Sequence, residues 1–131
     1  MLIDTAGWFC IFDIADKQHT RAVKHYETAF ELVTHSYILA EFVALSEARK
    51  RYRPQMLDFL SKLMSDSDIS VVWVDELLTF RAVELLTKRS DKIWSLCDAV
   101  SFIIMEDRGI SEALTTDRDF EQAGFIRLLN S

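Results

Sequence analysis

The chain has 131 residues, half of them hydrophobic, with one proline, three glycines and a net charge of −6. This excludes a disordered or low-complexity segment and suits a single domain over residues 1–131 with its own core. The acidic balance speaks against a protein that holds nucleic acid by charge alone, but it allows a nucleic-acid enzyme whose carboxylates bind divalent cations.

Met1-Leu2-Ile3 reads as a short buried strand that ends at Asp4. A very apolar helix is expected from Thr5 to Phe12, then a polar turn over Asp13 to Lys17. His19 to Glu31 carries apolar residues at helical spacing. Leu32-Val33-Thr34 is the next strand. Ser36 to Arg51 predicts a long helix with Ile38, Leu39, Phe42, Val43 and Leu45 as its apolar arc. On a helix Glu41 falls roughly 40° from Leu45, on the border of that arc. The basic residues Arg49, Lys50, Arg51 and Arg53 suit a helix C-terminus. Pro54 then opens a helix over Gln55 to Met64.

Ile69 to Val74 is β-branched and nearly continuous, as in a strand covered on both faces. Asp75 caps a helix over Glu76 to Lys88 that is expected to bury Leu77, Leu78, Phe80, Ala82, Val83, Leu85 and Leu86. Ser95 to Met105 is another helix, and Arg108-Gly109 turns the chain. Ala113-Leu114 is a strand, followed by two threonines, Asp117-Arg118-Asp119, a short helical connector and Gly124. Phe125 to Leu128 is the last strand. Short apolar strands alternating with amphipathic helices predict a central parallel sheet of four or five strands between two helical layers.

In such a sheet ligands bind beyond the carboxyl ends of the strands. Asp4 and Asp117 both follow strands and so reach the same edge. Asp98 lies on a helix apolar nearly all round, where an ionised aspartate needs a partner or a cation. Ser101, three residues on, shares its face. Each acid also has an ordinary reading: Asp4 as an N-cap, Ser95 to Asp98 as a capping box, Glu41 as a solvated helix residue, Asp117 and Asp119 as turn residues. If the four acids Asp4, Glu41, Asp98 and Asp117 converge, their repulsion calls for a cation. All-oxygen ligation suits Mg²⁺ or Mn²⁺, the chemistry of phosphodiester hydrolysis.

Cys10 and Cys97 sit in apolar surroundings and read as buried thiols of a reducing compartment. No basic stretch opens the chain, so no signal peptide is expected. No apolar run approaches the roughly 20 residues of a membrane span, and a cytoplasmic protein follows. His19, His25 and His35 show no ligand spacing. Trp8, Phe9, Phe12, Tyr26, Phe30, Tyr52, Met56 and Phe59 exceed what a small core needs. Most are assigned to the core and some to a groove for another chain.

The blocks L-I-D-T-A-G-W, S-Y-I-L-A-E-F-V-A-L, L-C-D-A-V-S-F-I-I-M and A-L-T-T-D-R-D-F-E-Q-A-G-F, in this order, resemble the PIN-domain nucleases, and within them the small VapC-like proteins. The resemblance spans essentially the whole chain, and its last two blocks are the most specific. It implies an α/β/α fold and a Mg²⁺- or Mn²⁺-dependent RNA endonuclease. Asp4, Glu41, Asp98 and Asp117 would be its acidic residues, with the metal held by Asp4, Asp98 and Asp117. Thr5, Ser101 and Thr116 are candidates for a supporting hydroxyl. Asp119 stands where many relatives have a non-acidic residue. Arg49, Lys50, Arg51, Arg53 and Arg118 are candidates for RNA contact, with helix-end charge compensation as the alternative. The family also implies an RNA substrate, a homodimer and a small antitoxin partner. A processing nuclease without antitoxin and a non-catalytic binding module are the competing readings.

Overall fold

The computed structural model describes residues 1–130, and Ser131 lies outside the described residues. In chain order the elements are β1 (Leu2–Ile3), α1 (Thr5–Phe12), α2 (His19–Thr28), β2 (Leu32–His35), α3 (Ser36–Ala48), α4 (Arg53–Ser65), β3 (Ile69–Val72), α5 (Glu76–Lys88), α6 (Leu96–Arg108), β4 (Glu112–Leu114), α7 (Asp119–Gln122) and β5 (Ile126–Arg127). The five strands form one sheet in the order β3-β2-β1-β4-β5, and every pairing is parallel. Helices flank the sheet, with α1 packed on α2 and α3, and α5 on α6.

The central strand is the shortest kind possible. Leu2 faces Val33 on one side and Ala113 on the other, and Ile3 faces Leu114. All five of these residues have no exposed surface. Two aromatic groups fill the space beside the sheet. Phe12, Phe42 and Phe59 form one, and Phe102 packs with Trp94, Phe120 and Phe125 in the other. Trp8 joins the first, and its indole N–H donates to Thr34 Oγ1 at 3.0 Å.

Gly7 lets α1 approach β4. A Cβ there would lie 2.1 Å from the backbone oxygen of Leu114 and 3.2 Å from Ile3 Cγ2. Backbone of a buried strand cannot step aside. Gly7→Ala is therefore expected to destabilise the protein by about 3 kcal/mol or more, at the upper end of overpacking costs. A denaturant melt measures this directly, and a change below 1 kcal/mol, the low end of such costs, would refute the packing argument.

Several expectations need correction. α2 stops at Thr28, and Phe30 beyond it is fully exposed. α3 stops at Ala48, so Arg49 is its C-cap and Lys50 turns the chain with φ 56°. α4 opens at Arg53, two residues earlier than its sequence pattern indicates. β3 is an edge strand and only half covered, and Trp73 just past it is exposed. The largest departure is α5. Ala82 is buried, but Leu77, Phe80 and Val83 are 69%, 65% and 47% exposed. Its main neighbour is α6, which covers one stripe of a helix whose apolar surface is wider than that. Tyr52 is also exposed, while Trp8, Phe9 and Met56 are buried as expected.

Candidate active site

The sheet order brings the carboxyl ends of β1 and β4 side by side, and the residues that follow them line one open cleft. Asp4, Thr5, Ala6, Glu41 and Leu45 form one part of its wall, and Ile93, Ser95, Asp98, Thr116, Asp117 and Asp119 form the rest. Asp4, Asp98 and Asp117 each present a carboxylate oxygen, and the three oxygens lie within 4.8 Å of one another. None of the three forms an ion pair with a lysine or arginine among the described residues.

The ordinary readings of these acids are only partly right. Asp4 stands at the N-cap of α1, yet its side chain makes no capping hydrogen bond. Asp98 does complete a capping box: its backbone N–H donates to Ser95 Oγ at 3.0 Å, and its Oδ2 accepts from the Ser95 N–H at 3.3 Å. A carboxylate has two oxygens, so capping and a place in the cluster are compatible. Asp117 also shapes its own turn, with Oδ1 accepting from the Asp119 N–H at 2.9 Å. Glu41 is exposed at the rim, where its Oε1 accepts from Thr5 Oγ1 at 2.9 Å. Thr5 thereby orients an acid from another helix.

Burial pushes the Asp4 carboxyl up to about 7. Hydrogen bonds from the Thr5 backbone and the Thr115 hydroxyl oppose this, and the charges of Asp98 and Glu41 add to it. Asp98 is raised to about 6, first by burial and then by Asp117, against the hydrogen bonds from Ser95. Asp119, on the first turn of α7, is raised by desolvation and by Asp117. Three carboxylate oxygens grouped this closely, with Asp4 and Asp98 resisting ionisation and none of the three paired with a lysine or arginine among the described residues, fit a hard divalent ion.

Two supporting residues escape the sequence reading. Thr115, fully buried, donates to Asp4 Oδ2 at 2.9 Å and accepts the Asp117 N–H at 3.0 Å. It ties two of the three acids together, whereas Thr116 lines the cleft wall. His35 is the other. Its Nδ1 accepts the Ile38 N–H at 3.3 Å, so its Nε2 carries the proton and donates to Ser101 Oγ at 2.8 Å. Ser101 Oγ in turn donates to the Cys97 carbonyl at 3.1 Å. Burial holds the imidazole neutral, with its pKa lowered to about 3. Ser101 is thus spent on joining the end of β2 to α6 and does not line the cleft.

Of the basic residues, Arg51 pairs with Asp13 at 2.7 Å and Arg53 pairs with Glu47. Arg118 is exposed at the start of α7. Arg49 lies over the Phe9 ring, 4.3 Å from its centroid.

The PIN domain family model matches residues 1–126, and the chain belongs to that family. The chain is 27% identical over 129 residues to the 23S rRNA-specific endonuclease VapC20 of Mycobacterium tuberculosis, in strains H37Rv and CDC 1551 alike, covering 98% of this chain and 97% of theirs. The crystal structure of M. tuberculosis VapC20, a sarcin-ricin loop cleaving toxin, aligns with a TM-score of 0.86 and 26% identity over 95% of each chain. This homology supports a VapC-type ribonuclease toxin.

Proposed function

We propose that the protein is the ribonuclease toxin of a type II toxin–antitoxin pair, a Mg²⁺- or Mn²⁺-dependent endonuclease that hydrolyses phosphodiester bonds in structured ribosomal RNA. The observation that carries this reading is the meeting of the Asp4, Asp98 and Asp117 oxygens within 4.8 Å. When bound, the cation supplies Lewis acidity, making water more acidic and offsetting charge that builds on the phosphate. Asp4, Asp98 and Asp117 hold it. Thr115 fixes the spacing of Asp4 and Asp117, and Glu41, steadied by Thr5, orients the incoming water from the rim. Asp119 adds negative charge at the mouth.

The VapC20 likeness supports ribosomal RNA as the target. The partners follow from uncovered apolar surface. The half-buried Ile11, Tyr26 and Phe59 border a groove suited to an amphipathic helix of an antitoxin. The exposed Trp73, Leu77, Phe80 and Val83 suit a second copy of the chain. Buried thiols at Cys10 and Cys97 accord with a cytoplasmic location. No helix among the described residues is long and apolar enough to cross a membrane.

The test is incubation of the purified protein with total RNA and mapping of new ends. We expect cuts in large-subunit ribosomal RNA that stop in EDTA and return with Mn²⁺ or Mg²⁺. Cleavage that persists in EDTA would overturn the metal assignment, and cuts confined to messenger or transfer RNA would overturn the target.

A further inference from the structure

We infer that Arg49, held over the Phe9 ring, and Lys17, on the wall of the same hollow, form a subsite for a backbone phosphate of RNA next to the acidic cleft. The inference rests on the nuclease reading above and specifies where the substrate is gripped.

The substrate is a polyanion, and the cleft it must enter is walled by Asp4, Glu41, Asp98, Asp117 and Asp119. A cation held by three of these acids serves the scissile phosphate. The neighbouring phosphate still meets a negative field unless a positive group of the chain stands beside the cleft. Sequence alone offers four basic residues after α3, but the structure separates them. Arg51 and Arg53 are occupied by Asp13 and Glu47. Arg49 pairs with no carboxylate among the described residues.

Arg49 is also held in place. It caps α3, and the turn behind it is fixed by Lys50 N–H on the Glu47 carbonyl at 3.0 Å and Arg51 N–H on the Ser46 carbonyl at 2.9 Å. Its guanidinium rests over Phe9, a ring only 1% exposed that cannot move away. With no carboxylate partner among the described residues, its N–H donors are left for the planar fork that suits phosphate oxygens.

The location completes the case. Arg49 lines a small concavity with Lys17 and Gln18, and three of its other walls, Ala6, Leu45 and Thr116, also line the acidic cleft. The two hollows therefore adjoin. Asp16 is on the same wall, with its Oδ1 accepting the Gln18 N–H at 2.8 Å. Two cations against one carboxylate leave the lining of this hollow net positive.

The experiment measures binding of a fluorescein-labelled RNA oligonucleotide in EDTA and in the Asp4→Asn background, which together suppress cleavage, over a series of salt concentrations. Each phosphate contact contributes close to one unit to the slope of log affinity against log salt. Arg49→Ala is expected to reduce that slope by about 0.7–1 and to weaken binding on the order of fivefold at moderate salt. Arg49→Lys is expected to keep the slope and lose only part of the affinity. An unchanged slope in Arg49→Ala overturns the subsite. So does an equal fall in Arg51→Ala, which would mean a diffuse basic field and no discrete seat. If the parent protein cuts RNA and the slope does not move, the subsite falls alone. If the unsubstituted protein neither binds nor cuts RNA, the nuclease reading falls and the subsite with it.

Discussion

Asp4→Asn is expected to lower RNA cleavage by more than the roughly 10- to 100-fold that loss of an outer partner of a metal ligand costs. Asparagine keeps the size of the side chain, and its carbonyl oxygen can still accept from Thr115, which bonds Asp4 Oδ2 at 2.9 Å. What it loses is the negative charge of one of three oxygens grouped within 4.8 Å. A hard divalent ion held by few protein ligands is sensitive to that charge. The measurement is initial rate on a ribosomal RNA fragment across a range of Mn²⁺, with the fold checked by circular dichroism. A loss that high Mn²⁺ repairs would locate the defect in cation binding. A variant within tenfold of the parent at every Mn²⁺ concentration, well inside the effect of even an outer partner, would remove Asp4 from the site.

The same substitution is expected to stabilise the protein in EDTA at alkaline pH. The Asp4 carboxyl rises from its ordinary 3.8 to about 7, chiefly through burial. Below the unfolded value both states are protonated and Asp4 contributes no penalty. Between the two values the unfolded chain gives up the proton while the native state keeps it, so stability declines as pH rises. Above about 7 the penalty is complete. Asp4→Asn removes it, so the variant should match the parent near pH 4 and exceed it at pH 8 by on the order of 2–4 kcal/mol. Asp98, raised to about 6, bends the parent curve the same way.

His35 acts in the opposite sense. Its pKa is lowered by burial to about 3, so acid protonates the unfolded chain first and costs stability below the ordinary 6.5. The difference between parent and variant cancels that contribution and isolates Asp4. Urea melts from pH 4 to 8 provide the curves. Mg²⁺ should raise the stability of the parent at pH 8 and do little for the variant. A pH-independent difference would contradict the burial argument.

The acids were legible in the sequence because strand ends and helix starts are local features. An aspartate directly after an apolar run reaches the carboxyl edge whatever the strand order. The hydroxyls were harder, because their roles depend on register. Ile3 faces Leu114 across the sheet, so the residues after them, Asp4 and Thr115, fall side by side. A two- or three-residue strand gives too little alternation to show that Thr115 and not Thr116 turns inward. Ser101 was read correctly as sharing a helix face with Asp98. Three residues still rotate it by about 60° and move it one turn deeper, where His35 takes it. That partner comes from β2, sixty-six positions away. On α5 the periodicity reported an apolar surface correctly but could not report whether another element covers it. Leu77 and Phe80 have the pattern of core residues without the neighbours.

The central strand pairs with a strand more than a hundred residues later, and Asp4 meets Asp117 only through that pairing. Synthesis therefore makes Asp4 more than a hundred residues before Asp117. A growing chain that has not yet released Asp117 from the ribosome has no complete cluster, however well its earlier helices have formed. Completion of the site is thus tied to the β1–β4 pairing, the one that spans the most sequence in the sheet.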